Sequence, residues 1–283
     1  MTAIRRKKVN VPTLIGRGIT MLILIGLSIL VLIPLVWTVC MALKPAGEIY
    51  NGRFFPTTLV WGNFVEAVTS IDFFQYLLNT LKVVIPNVVG QVISCSLVAY
   101  GFSRYNFKGK RVWFLILLAT MMIPGELFTI TNYGTITTFG WKNTYTVLIV
   151  PFLVSVFYIY LLRQSFLQIP NELYLAAKVD GTKDIKYLWK VMVPLSLPTL
   201  ISITILKMMG AWNSYIWPRL VANDDAHRLI TNGLRSAFTD TTGDVNYPVQ
   251  MAAVALVSAP LFLVFVFLRK YIMSGVSRSG IKG

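Results

Sequence analysis

The chain has 283 residues, 55% of them hydrophobic and only 13% charged, and carries a net charge of +15. A soluble domain holds roughly 25% charged residues, so most of this chain has a non-aqueous solvent, which excludes a soluble nucleic-acid binder despite the basic balance. The two cysteines, Cys40 and Cys95, both lie inside apolar runs and imply neither a disulfide framework nor a metal site.

A membrane span needs about 20 mostly apolar residues. Six stretches qualify, roughly 18–43, 78–102, 112–130, 145–162, 194–218 and 251–268, so the chain reads as an all-α polytopic membrane protein forming a single transmembrane domain over 1–283. The first follows a basic tail of Arg5, Arg6, Lys7, Lys8 and Arg17. Its apolar run exceeds the roughly 7–15 residues of a cleavable signal, which makes it a retained anchor. In the second, Asn79, Asn87, Gln91 and Ser94 fall within about 120° of one helical face, and Pro86 is placed to kink the span. The third carries Glu126 after Pro124-Gly125, near one end. The fourth and sixth are close to the short limit. The fifth holds Lys207 and then the run from Gly210 to Pro218, with Trp212, Asn213, Tyr215 and Trp217.

Lys and Arg concentrate on the cytoplasmic side of a membrane. With the N-terminus inside, the inner segments 1–17, 103–111, 163–193 and 269–283 hold 18 of these residues and the outer segments hold 6. Both termini are therefore expected in the cytoplasm, and most of the net charge is a topology signal. The longest outer loop, 219–250, contains seven charged residues, with turns expected at Asn232-Gly233 and Gly243-Asp244. His227, the only histidine, reads as a surface residue rather than a proton relay.

The inner segment 163–193 contains the most specific pattern. Pro170 suits the first turn of a helix and Glu172 complements its positive end. The helix runs to Val179, where Asp180-Gly181 breaks it. Thr182 is placed to cap a second helix with Asp184 in its first turn, and Ile185, Leu188 and Trp189 are expected on one face. Ala176, Ala177 and Gly181 form a small-residue surface that permits close approach of another chain.

That segment resembles the cytoplasmic signature of ATP-binding-cassette importer permeases: Glu-Ala-Ala, three residues, Gly, nine residues, then Ile-x-Leu-Pro. Ala176, Ala177, Gly181 and Pro194 fit it, Val191 and Val193 stand at the Ile and Leu, and Leu175 replaces the Glu. Asp180-Gly181 is similar to the sugar-importer branch. Asn79-Thr80-Leu81, Trp212-Asn213, Trp217-Pro218 and the C-terminal Gly275 and Gly280-Ile281-Lys282-Gly283 resemble the smaller, maltose-type subunits.

The resemblance implies that 163–193, between spans four and five, forms a coupling helix seated on an ATPase, with Glu172, Leu175, Ala176, Ala177, Asp180, Gly181 and Pro194 at the contact. It further implies a second homologous permease subunit, most simply in a heterodimer. It adds two cytoplasmic ATPase subunits that hold ATP and magnesium, an extracytoplasmic sugar-binding protein facing 219–250, and a bacterial plasma membrane location. No cofactor is expected in this chain, nor nucleic acid.

A sugar is held by aromatic faces and hydroxyl-pairing amides, so the candidate pathway comprises Asn79, Asn87, Gln91, Glu126, Trp212, Asn213 and Tyr215. The competing reading treats Trp and Tyr as interface anchors and Asn and Gln as bonds between helices; Lys207 either snorkels or pairs with Glu126. No phosphate-binding loop of the G-x-x-x-x-G-K-[ST] kind occurs, and no H-E-x-x-H, Cys/His cluster or G-x-S-x-G elbow. A stand-alone secondary carrier or channel is the alternative, but only Glu126 approaches the intramembrane carboxylates such carriers use, and no internal repeat stands out.

Overall fold

The computed structural model describes residues 11–239 and 246–280, and helices alone make up its regular structure among those residues. In chain order they are α1 (Val11–Ala42), α2 (Gly62–Thr69), α3 (Phe73–Arg104), α4 (Lys110–Thr120), α5 (Thr129–Thr138), α6 (Tyr145–Ile149) and α7 (Val156–Leu167). The second half holds α8 (Asn171–Val179), α9 (Asp184–Tyr187), α10 (Val193–Leu195), α11 (Leu197–Trp212), α12 (Ile216–Val221), α13 (Ile230–Thr239) and α14 (Tyr247–Gly280). The basic tail at 5–8, Asp240, the Gly243-Asp244 turn and the chain from Ile281 on lie outside the described residues.

Three stretches are single helices long and apolar enough to cross a membrane: Gly18–Ala42, Phe73–Arg104 and Tyr247–Leu268. Three more reach that length only as bent pairs. Lys110–Thr120 with Gly125–Thr138 bends by 79°, Tyr145–Phe152 with Val156–Leu167 by 42°, and Asp184–Leu195 with Leu197–Trp212 by 84°. The breaks have local causes. Pro124 and Pro151 stand at the first two, and at the third Ser196 leaves helical geometry (φ −99°, ψ 13°) between Pro194 and Pro198. The fifth stretch stops being helical at Trp212, and α12 begins a new turn after Asn213-Ser214-Tyr215.

The described chain forms two compact units. One comprises the residues up to Ala67 with α14 as far as Leu256. None of the most apolar window of α1 is buried, so that surface is left for lipid or another chain. Beyond α1, Lys44 is buried and its ammonium donates to the Arg53 carbonyl. The Asn63 amide ties the carbonyls of Ala42 and Lys44, both at 2.9 Å.

The other unit, Val68 to 239 with α14 from Val257, is organised around α3. Its buried face carries Tyr76, Asn79, Thr80, Val83, Asn87, Gln91, Cys95 and Ala99, while Leu78, Ile85, Val89, Ile93 and Leu97 are exposed. This inverts the pattern of a soluble helix: the polar residues point inwards and the apolar ones outwards, as a lipid solvent requires. One core cluster joins Cys95, Ala99 and Tyr100 to Ile159, Leu162 and Phe166 of α7 and to Leu200 and Ile203 of α11. A second joins Val83 to Val147, Leu148, Ile136, Val221 and Leu229. Asn87 and Gln91 lie on α3 between the two.

Candidate functional site

The loop 163–193 folds as two helices around Gly181, which adopts φ +68°. Its backbone N–H bonds the Lys178 carbonyl at 3.0 Å, and that of Thr182 reaches the Ala177 carbonyl at 2.8 Å. This pair of bonds is the Schellman ending that favours glycine at the left-handed position. A Cβ at Gly181 would meet open space, so the glycine serves the backbone and leaves the surface beside it free.

The second helix departs from the expectation in two ways. Lys183, not Thr182, occupies its cap position, and no side chain bonds there. Leu188 is fully buried while Ile185 is 58% exposed and Trp189 is 36% exposed, so these three do not share a face. A π-helical turn over Leu188–Met192 shifts the register, and Tyr187, Leu188 and Met192 form the buried side instead. Pro194 is exposed in the single turn of α10.

On α8, Tyr174 and Ala177 pack against the core. Glu172, Leu175, Ala176 and Val179 are exposed, and their spacing of i, i+3, i+4, i+7 puts them on one face. Asp180 is also exposed. Leu175 is 55% and Val179 89% exposed, an apolar stripe that nothing in the described chain covers.

Behind that face, one carboxylate links three elements. Asp184 accepts from the Tyr100 hydroxyl of α3 at 2.7 Å and from the Tyr174 hydroxyl of α8 at 3.2 Å, and lies 2.9 Å from the Lys178 ammonium. Burial alone raises the Asp184 pKa, but the bonds from Tyr100 and Lys178 outweigh it and hold the carboxyl below its ordinary range. The stabilisation is complete above the unfolded pKa of about 3.9 and fades only as pH falls through the lower folded value. Arg104, at the end of α3, adds a second tie by donating to the carbonyls of Phe166 and Ile169 and to the Asn171 side chain.

The candidate pathway residues divide into groups. Asn87 and Gln91 line a cavity of ≈ 370 Å³ together with Phe152, Tyr158, Lys207 and Trp217. Asn87 donates to the carbonyls of Val83 and Leu148, but its Oδ1 has no partner. Neither polar atom of the Gln91 amide has one, although the residue is only 1% exposed. Lys207 donates to the Phe152 carbonyl at 2.9 Å and forms no ion pair with Glu126, which is exposed. Phe152 and Tyr158 carried no sequence signal, since an aromatic in an apolar run looks the same whether it faces lipid or a cavity.

The other candidates are engaged elsewhere. Asn79 donates to the carbonyls of Ala226 and Arg228 and accepts from the Tyr145 hydroxyl. Trp212 is buried, with its indole on the Val257 carbonyl at 3.2 Å. Asn213 is exposed at the end of α11. Tyr215 stacks with Arg219 and Arg235 and, with Tyr133 and Asn223, borders a separate hollow.

The segment after Arg219 is more ordered than a solvated loop. Asp225 pairs with Arg228 and accepts from Tyr76, Thr80 accepts from the Ile230 N–H, and His227 pairs with Asp224 at 2.7 Å. Asn232-Gly233 is no turn but lies inside α13. A Cβ at Gly233 would run into the Tyr76 ring, so this glycine permits close packing on α3. Gly233→Ala is expected to cost about 1–3 kcal/mol through overpacking, read as a lower melting temperature of the purified protein. Adding Tyr76→Leu should recover part of the loss, and an unchanged melting temperature in the single variant would contradict the packing.

Comparison with known proteins gives these features a context. Residues 91–278 match the family described as binding-protein-dependent transport system inner membrane component. The arabinooligosaccharides transport system permease protein AraQ of Halalkalibacterium halodurans is 29% identical, over 91% of this chain and 93% of that protein. The diacetylchitobiose uptake system permease protein NgcG of Streptomyces coelicolor is 26% identical, over 90% of this chain and 86% of its own length. A chain in the crystal structure of a bacterial ABC transporter that imports the acidic polysaccharide alginate shares the fold, with a TM-score of 0.82 at 22% identity, covering 94% of this chain and 99% of that one. With its apolar helices and its exposed helix in the signature loop, this chain belongs to the binding-protein-dependent transport system inner membrane component family and is a permease subunit of an ATP-binding-cassette importer.

Proposed function

We propose that this subunit carries a sugar or oligosaccharide across the bacterial plasma membrane, in partnership with a second homologous permease subunit, two ATPases and an extracytoplasmic binding protein. In this reading it crosses the membrane six times with both termini in the cytoplasm, as the 18-to-6 distribution of Lys and Arg favours. The cargo class follows from the two relatives, which are named for arabinooligosaccharides and diacetylchitobiose.

The observation that carries the proposal is the exposed stripe of Glu172, Leu175, Ala176 and Val179 on α8. It has the form of a helix that seats an apolar face in a partner's groove. ATP and magnesium belong to the ATPases. Their closure moves α8, and the Asp184 and Arg104 ties pass that movement to α3, which bears Asn87 and Gln91. The segment 219–250 faces the binding protein.

The test is reconstitution in liposomes with the partner subunits. ATP-dependent sugar uptake that requires the binding protein supports the reading. Uptake by this chain alone, without ATP, would favour a secondary carrier and overturn it.

A further inference from the structure

The cavity on α3 combines groups that ordinary packing does not call for. Gln91 is 1% exposed, yet both its amide oxygen and its amide nitrogen lack a partner. Buried amides are normally satisfied, so this one is arranged for something that enters. Asn87 leaves its Oδ1 open a turn away. Lys207 has three donors, of which the Phe152 carbonyl takes one, and among the described residues no carboxylate pairs with it. A lysine at membrane depth without a counter-charge is costly and marks a functional position. Trp217 and Tyr158 supply aromatic walls. The Trp217 ring is fixed by its indole bond to the Val147 carbonyl at 3.1 Å and by an edge contact with Phe152.

We infer that this cavity is a binding site within this subunit for an anionic saccharide, whose carboxylate or phosphate pairs with Lys207 and whose hydroxyls bond the Gln91 amide and Asn87 Oδ1. The inference rests on the carbohydrate reading above and narrows it to a charged cargo. At ≈ 370 Å³ the cavity lies near the lower end of ligand pockets, roughly 300–1,000 Å³, and suits one sugar unit of a longer chain.

The assembled transporter in detergent at low salt is titrated with glucuronate, glucose 6-phosphate and glucose, with binding read by ligand-detected NMR. At least one charged sugar is expected to bind about tenfold more tightly than glucose, the worth of one charge-assisted contact. Which one binds identifies the anion as carboxylate or phosphate. Lys207→Gln should abolish that preference, Lys207→Arg should retain it, and Gln91→Leu should weaken all bound sugars about tenfold. Equal affinity for charged and neutral sugars, or a Lys207→Gln variant that keeps the preference, overturns the proposal. So does binding of none of the three. If ATP-dependent uptake of a neutral sugar persists alongside such a result, the site fails and the importer reading stands; if no sugar is transported, the importer reading fails as well.

Discussion

Replacing Leu175 and Val179 together by aspartate is expected to release the ATPase subunits from the purified complex and to lower stimulated ATP hydrolysis at least about tenfold. Both side chains are exposed, at 55% and 89%, on the same face as Ala176. The substitutions therefore cost this chain little by themselves, within about 0.5 kcal/mol each. In a groove that accepts an apolar stripe, however, an unpaired carboxylate at position 179 costs several kcal/mol, and about 1.4 kcal/mol is tenfold in affinity. The control is Leu175→Glu, which installs the residue the family signature carries at that position and should leave hydrolysis close to wild type. Co-purification and ATPase assays on membranes with equal amounts of the subunit read both outcomes. A double variant that still retains its ATPases would remove α8 as the docking face.

Asp184→Ala is expected to separate docking from transport. The stripe on α8 stays intact, so the ATPases should still co-purify. The carboxylate that joins Tyr174 and Lys178 to Tyr100 is gone, and Tyr100, only 3% exposed, keeps a hydroxyl without its acceptor. An orphaned buried hydroxyl costs about 1–3 kcal/mol, and the link between α8 and α3 is loosened by as much. Uptake should fall about tenfold or more while ATP hydrolysis continues, a futile cycle. Asp184→Asn keeps one acceptor oxygen for Tyr100 and should restore part of the coupling. If uptake and hydrolysis fall together in both variants, Asp184 serves folding alone.

Sequence patterns revealed elements whose cause is local. The break at Asp180-Gly181 follows from a left-handed backbone that glycine alone adopts cheaply, and the polar face of α3 follows from helical period. Features with distant causes were not legible. Asn79 and Asn87 look alike in sequence, but Asn79 is fully used by Ala226, Arg228 and Tyr145, and only Asn87 borders the cavity. Partners some 60 to 150 residues away leave no trace in a periodic reading. Gly233 has the composition of a turn and the role of a spacer, because its neighbour Tyr76 belongs to another helix. Ile185, Leu188 and Trp189 mislead for a different reason, since Leu188 is buried while Ile185 and Trp189 are exposed, and the regular helix gives way to a π-helical turn at Leu188. Asp184 is legible as a first-turn acid, but its link to Tyr100 requires the fold.

The most direct test of the docking surface is a photo-crosslinking amino acid placed at Val179 in the assembled transporter, with Phe128, outside the 163–193 segment, as control. Illumination of native membranes is expected to join Val179 to an ATPase subunit and to leave Phe128 without that adduct. Adducts from Val179 to lipid alone, or an ATPase adduct from Phe128 instead, would contradict the assignment of α8 as the surface through which ATP hydrolysis reaches this subunit.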